Sequence, residues 1–221
     1  MNKEFYEKLL TAENKYDRLD GWWKAEILYP TIDLRKYKSY FLELLKDNDT
    51  DIALHAWQLL PKLVKLGIIN REDFEINDFV RALREGDING WWIGYDLYKE
   101  GIIPLETLKE NAKYFENALK ADPFTRISSW SLLPYLLELE VVSKPSEDYL
   151  SELLDSQLNI HVKLNVVYLL FELKEKGVID KIDIEKVRKV VEDPQFIKLS
   201  EAYEKDWRKI IQQLDKVERS R

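Results

Sequence analysis

The sequence predicts an all-α protein: a right-handed superhelix of about five two-helix repeats, with a capping helix at each end. Three observations lead there. The 221 residues are 45% hydrophobic and 34% charged, with only 7 Gly and 7 Pro, a balance that favours helices over strands. Four segments end alike, "KLGII" at Gly67, "KEGII" at Gly101, "ELEVV" at Glu140 and "EKGVI" at Gly177, at intervals of 34, 39 and 37 residues. Longer stretches also match. "AWQLLPKLVKLGII" (Ala56 to Ile69) parallels "SWSLLPYLLELEVV" (Ser129 to Val142) at a distance of 73 residues, two units of about 36 each. "DGWWKAEILY" (Asp20 to Tyr29) and "NGWWIGYDLY" (Asn89 to Tyr98) share the G-W-W start and the L-Y end.

Chemistry explains the punctuation. Glycine just past a helix end adopts the left-handed conformation cheaply, and the apolar residue after it folds back onto the last turn. Glu140 has to reach that geometry at a cost or end its helix differently. A second series of breaks falls between the first. The residues at 45, 83, 119, 154 and 191 each close an amphipathic run, at intervals of 38, 36, 35 and 37. Each unit therefore holds two helices.

Taken along the chain, residues 1–19 form a charge-rich cap carrying Phe5, Tyr6, Leu9 and Tyr16. Repeat 20–49 opens on the first Trp pair, and its second helix presents Leu34, Tyr37, Phe41, Leu44 and Leu45 on one stripe behind Asp33, a residue suited to the N-cap. In repeat 50–86 the first helix is apolar on two sides, with Ile52, Ala56, Leu59 and Leu63 on one and Leu54, Trp57 and Val64 on the other. A helix held between its own partner and the next unit has that pattern. Repeat 87–122 contains the second Trp pair and then a helix from Leu105 to Leu119 started by Pro104. Repeats 123–157 and 158–194 follow, and residues 195–221 make the closing cap, with Tyr203, Trp207, Ile210, Leu214 and Val217 on its apolar side.

The paired helices, the "DPFTR" start (Asp122 to Arg126) and a proline inside the first helix (Pro61, Pro134) resemble the HEAT and armadillo class of α-solenoids over about residues 20–194. That resemblance implies a surface that binds other macromolecules. A narrower likeness is to HEAT-like DNA glycosylases that remove alkylated purines. Trp92 and Asp96 keep that family's Trp-to-Asp spacing, and Arg126 stands early in a following first helix. The likeness implies that Trp92 packs on a nucleotide, Asp96 stabilises positive charge on the sugar and Arg126 holds the DNA. The further tryptophan of that family falls here near Val167 and Tyr168.

Adjacent helical residues point about 100° apart, so the two members of a Trp pair cannot share one pocket. Trp57, Trp91 and Trp130 lie ten residues before Gly67, Gly101 and Glu140, which makes Trp91 the core member and Trp92 the surface member. The candidate binding residues are Trp92, Tyr95, Tyr98, Trp22, Trp23 and Arg126, with Asp96 catalytic only on the glycosylase reading. Glu26 and Asp96 stand in near-equivalent positions two repeats apart, too distant for a catalytic pair, and read as solvated helix positions. His55 and His161 occupy different phases and fit no ligand spacing, so no metal and no cofactor is expected.

The absence of cysteine excludes disulfides, thiolate nucleophiles and Cys-based zinc sites. No phosphate loop, nucleophile elbow or dinucleotide fingerprint occurs. Net charge of −7 disfavours nucleic acid, and the basic clusters at Arg35, Lys36 and Lys38 and at Lys186, Arg188 and Lys189 are separated by acids. The N-terminus has no secretory character and the longest apolar run, near "VVYLLF", cannot span a bilayer. The reading is a cytoplasmic, non-catalytic scaffold that grips a protein or peptide, with a weak thermophilic lean from its Lys and Glu usage.

Overall fold

The computed structural model describes residues 3–202, 210–213 and 215–216. Among the described residues every regular element is helical, in keeping with the all-α expectation. Two compact units result, the first ending at Ala118 and the second beginning at Leu119.

The first unit contains α1 (Lys3–Leu10), α2 (Lys15–Trp23), α3 (Ala25–Leu28), α4 (Lys38–Leu45), α5 (Thr50–Lys65), α6 (Ile76–Arg84), α7 (Ile88–Lys99), α8 (Leu105–Lys109) and α9 (Ala112–Ala118). Its core repeats a single arrangement. The buried indoles of Trp22, Trp57 and Trp91 donate to the carbonyls of Leu10, Leu45 and Leu83, at 3.3, 3.1 and 3.2 Å. Those carbonyls lie in the last turns of α1, α4 and α6, where no intrahelical partner exists. Each bond therefore satisfies a buried donor and an orphan acceptor together. The same rings lean on Phe41, Phe79 and Phe115, with centroids 5.2, 5.3 and 5.2 Å apart and tilts of 53°, 56° and 58°.

The G-W-W stretches owe their glycine to this packing. A Cβ on Gly21 would stand 3.1 Å from the backbone of Leu9, and one on Gly90 would stand 3.1 Å from the carbonyl oxygen of Ala82. The helices approach this closely because the indole has to reach across to the preceding helix end.

The second unit contains α10 (Pro123–Glu138), α11 (Ile160–Glu175), α12 (Ile184–Val191) and α13 (Pro194–Ala202). Trp130 on α10 donates to the carbonyl of Leu119 at 3.1 Å, the same bond once more. Pro61 and Pro134 each lie inside a 16-residue helix.

The helix ends behave as their punctuation requires. Gly67, Gly101 and Gly177 have φ of 66°, 71° and 70°, and Glu140 joins them at 54°. The amides of Ile68, Ile102, Val141 and Val178 each bond to a carbonyl five residues earlier, so Glu140 takes the costly left-handed option.

Several expected helices differ. Residues 3–18 form two helices, because the Asn14 side chain accepts from the amides of Tyr16 and Asp17 and starts α2 anew. Asp33 makes no capping bond; it pairs with Arg35 at 2.9 Å, and a 3₁₀ turn (Leu34–Tyr37) precedes α4. The run from Leu105 to Leu119 breaks at Asn111, whose buried side chain donates to the Thr107 carbonyl and accepts from Arg84. After α10 the counterpart of a second helix shrinks to a 3₁₀ turn (Ser151–Leu154) behind the Pro145 region. Of the closing cap, Ile210 is buried, while Tyr203, Trp207, Leu214 and Val217 lie outside the described residues.

Candidate binding groove

Helices α5 and α7 pack side by side, with Trp57 and Trp91 each ten residues before a helix-ending glycine. Since Trp57 and Trp91 turn inward, the next residues, Gln58 and Trp92, turn about 100° away into the groove between the helices. One turn further on stand Lys62 and Asp96. The residue two before each Trp, His55 or Asn89, lies at the other end.

Two cavities occupy this groove. The first, about 330 Å³, is bounded by Asp51, His55, Gln58, Asn89, Trp92 and Asp96, among others. The second, about 460 Å³, continues past the shared residues Gln58, Ile93 and Asp96 towards Pro61, Lys65 and Glu100. Its outer wall includes Glu26 from the segment after α2.

Charge is distributed unevenly along it. At the C-terminal ends of the helices Lys62 pairs with Glu26 at 2.8 Å and Lys65 with Glu100 at 2.6 Å. Lys99 lies 5.5 Å over the ring of Tyr95. Asp51 lies at the start of α5 and Asp96 in the last turn of α7, shared by both cavities; neither carboxylate has an ion pair or hydrogen bond among the described residues. Partial removal from water raises the Asp96 pKa, Lys99 opposes that shift and Glu100 adds to it. His55 donates through Nδ1 to the Asp51 backbone oxygen at 2.7 Å, which orients its ring at the cavity edge. No cluster of three or more metal-ligating side chains exists among the described residues.

The sequence-derived candidates separate into distinct places. Trp92 is half-buried and borders the smaller cavity together with Asp96. Tyr95 and Tyr98 are half-buried on the same helix but outside the linings of these two cavities. Trp22 is fully buried in the core, and Trp23 is 38% exposed beside Ile27. Arg126 belongs to the second unit, where its guanidinium donates to the carbonyls of Lys120, Ala121 and Tyr149 and pairs with Glu152 at 3.1 Å. Arg18 repeats this clamp in the first unit, on the carbonyls of Ala12 and Tyr40 and on Glu43. Glu26 and Asp96, read as distant, border one cavity, with Glu26 engaged by Lys62.

The α5 wall escaped the sequence reading. Gln58 and His55 share the repeat phase of Trp92 and Asn89, so counting from Trp57 as well as from Trp91 would have located them.

No family model matches the chain, and no solved structure matches it. A protein of Acidianus ambivalens, described as an uncharacterized protein in the sor 5′ region, is 33% identical over 217 residues, which cover 93% of this chain and 94% of that protein.

Proposed function

The chain belongs to the family of that Acidianus ambivalens protein, and we propose that it is a non-catalytic binding module of the HEAT-like kind. Its repeats stack as a right-handed α-solenoid and hold a protein or peptide partner in the groove between two of them, α5 and α7. The recurrence of the Trp-to-Leu carbonyl bond at four positions supports the stacked-repeat reading. What carries the binding reading is Trp92: its neighbour Trp91 already fills the core, and Trp92 borders a cavity instead. A half-buried indole in a polar-rimmed groove is the usual form of an interface anchor. No helix among the described residues is long and apolar enough to cross a membrane.

Copurification from the native host, with wild type and Trp92→Ala compared side by side, tests this. A partner retained by the wild type, lost by the variant at unchanged helicity and crosslinked to α5 or α7 supports the reading. Retention by both proteins, or crosslinks elsewhere, overturns it.

A second reading follows from Trp92 and Asp96 bordering one cavity, the pairing that the alkylpurine DNA glycosylase likeness implies. It requires salt-sensitive retention of duplex DNA and base release that disappears in Asp96→Asn. Binding that ignores salt excludes it.

A further inference from the structure

Although they share Asp96, the two cavities differ in charge along the groove. Each of its lysines is engaged: Lys62 with Glu26, Lys65 with Glu100, and Lys99 over Tyr95. Among the described residues the smaller cavity has no lysine or arginine in its lining. Its charged walls are Asp51 and Asp96, both without ion pairs or hydrogen bonds to their carboxylates among the described residues. Its other walls are aromatic (Trp92 and the His55 imidazole), amide (Gln58 and Asn89) and apolar (Leu54 and Ile93).

We propose that this cavity receives the basic side chain, arginine above all, of the peptide that the groove binds. The inference rests on the peptide-binding reading and adds the chemistry of the occupant. A planar guanidinium carries five N–H donors and no acceptor. It stacks on an indole face while donating to carboxylates at its edge. Asp96 supplies the charge, and the amide oxygens of Gln58 and Asn89 accept the remaining N–H groups. An acidic side chain here would meet two like charges. An apolar one would desolvate both carboxylates with nothing in return. The about 330 Å³ of space is bounded on two helices, so the pocket takes one side chain and leaves the larger cavity for its neighbours.

Panning a displayed library of random dodecapeptides on immobilised wild type, Trp92→Ala and Asp96→Asn proteins tests the proposal, with circular dichroism confirming that each is folded. The expected result is a set of wild-type binders sharing one Arg or Lys. Replacing that residue by Gln should weaken binding about tenfold or more on wild type and about twofold or less on Asp96→Asn. Binders that share no basic residue overturn this inference and leave the peptide-binding reading standing. Failure of wild type to enrich any peptide over Trp92→Ala overturns both.

Discussion

The indole nitrogen of Trp91 lies 3.2 Å from the carbonyl oxygen of Leu83, and the adjoining Trp92 turns away from that bond towards a cavity shared with α5. One dipeptide thus joins a structural rivet to a half-buried cavity wall. The rivet recurs at Trp22, Trp57 and Trp130. The two tryptophans should answer differently to the same change.

Trp91→Phe keeps much of the apolar volume but leaves the Leu83 carbonyl buried without a donor. We expect a loss of about 1–3 kcal/mol in urea unfolding, whereas Trp92→Phe should change stability by less than about 1 kcal/mol. Equal losses would show that Trp92 is also a core residue.

Glu140 holds a φ of 54° that glycine holds at the three equivalent helix ends. Glu140→Gly should therefore stabilise the protein by about 0.5–1 kcal/mol, and Gly101→Ala should destabilise it by about 1 kcal/mol. Thermal unfolding of the two variants is sufficient to check the opposite signs.

Arg126 binds three carbonyls and Glu152, a set of acceptors spread too widely for an ammonium group. Arg126→Ala should cost about 2–3 kcal/mol of stability, with little recovery in Arg126→Lys. If Arg126→Ala folds as stably as wild type, the guanidinium is available for a ligand.

The raised pKa of Asp96 has a definite sign in linkage. A carboxyl that holds its proton more tightly when folded favours the folded state at low pH. That advantage is lost as pH rises from the ordinary value of 3.8 through the raised one. Asp96→Asn should accordingly stabilise the protein at neutral pH and have little effect at pH below about 3. Binding of a basic peptide should run the opposite way, weakening as pH falls through the raised pKa. Unfolding midpoints and affinities measured across that window check both trends.

Much of the architecture was legible because it depends on contacts a few residues long. The recurring Leu positions 45, 83 and 119, read only as helix ends, turn out to be the carbonyls that accept from Trp57, Trp91 and Trp130. The choice of Trp91 over Trp92 as core member followed from phase alone, whereas at Glu140 phase left two options and the structure takes the left-handed one. The break at Asn111 did not follow, because the helical periodicity from Leu105 to Leu119 is intact. Only the hydrogen bond from Arg84, 27 residues earlier, shows what the turn accommodates.

By itself the sequence determined the helical class, the helix ends at Gly67, Gly101 and Gly177 and the inward turn of Trp57, Trp91 and Trp130, since those follow from local periodicity and the conformational preferences of Gly. Tertiary structure alone decided which helices became neighbours. That pairing brings His55 and Gln58 opposite Asn89 and Trp92, joins Glu26 to Lys62 and leaves the Asp96 carboxylate without an ion pair or hydrogen bond among the described residues. These residues are up to 70 positions apart, and no short-range pattern encodes a distance set by how two helices pack.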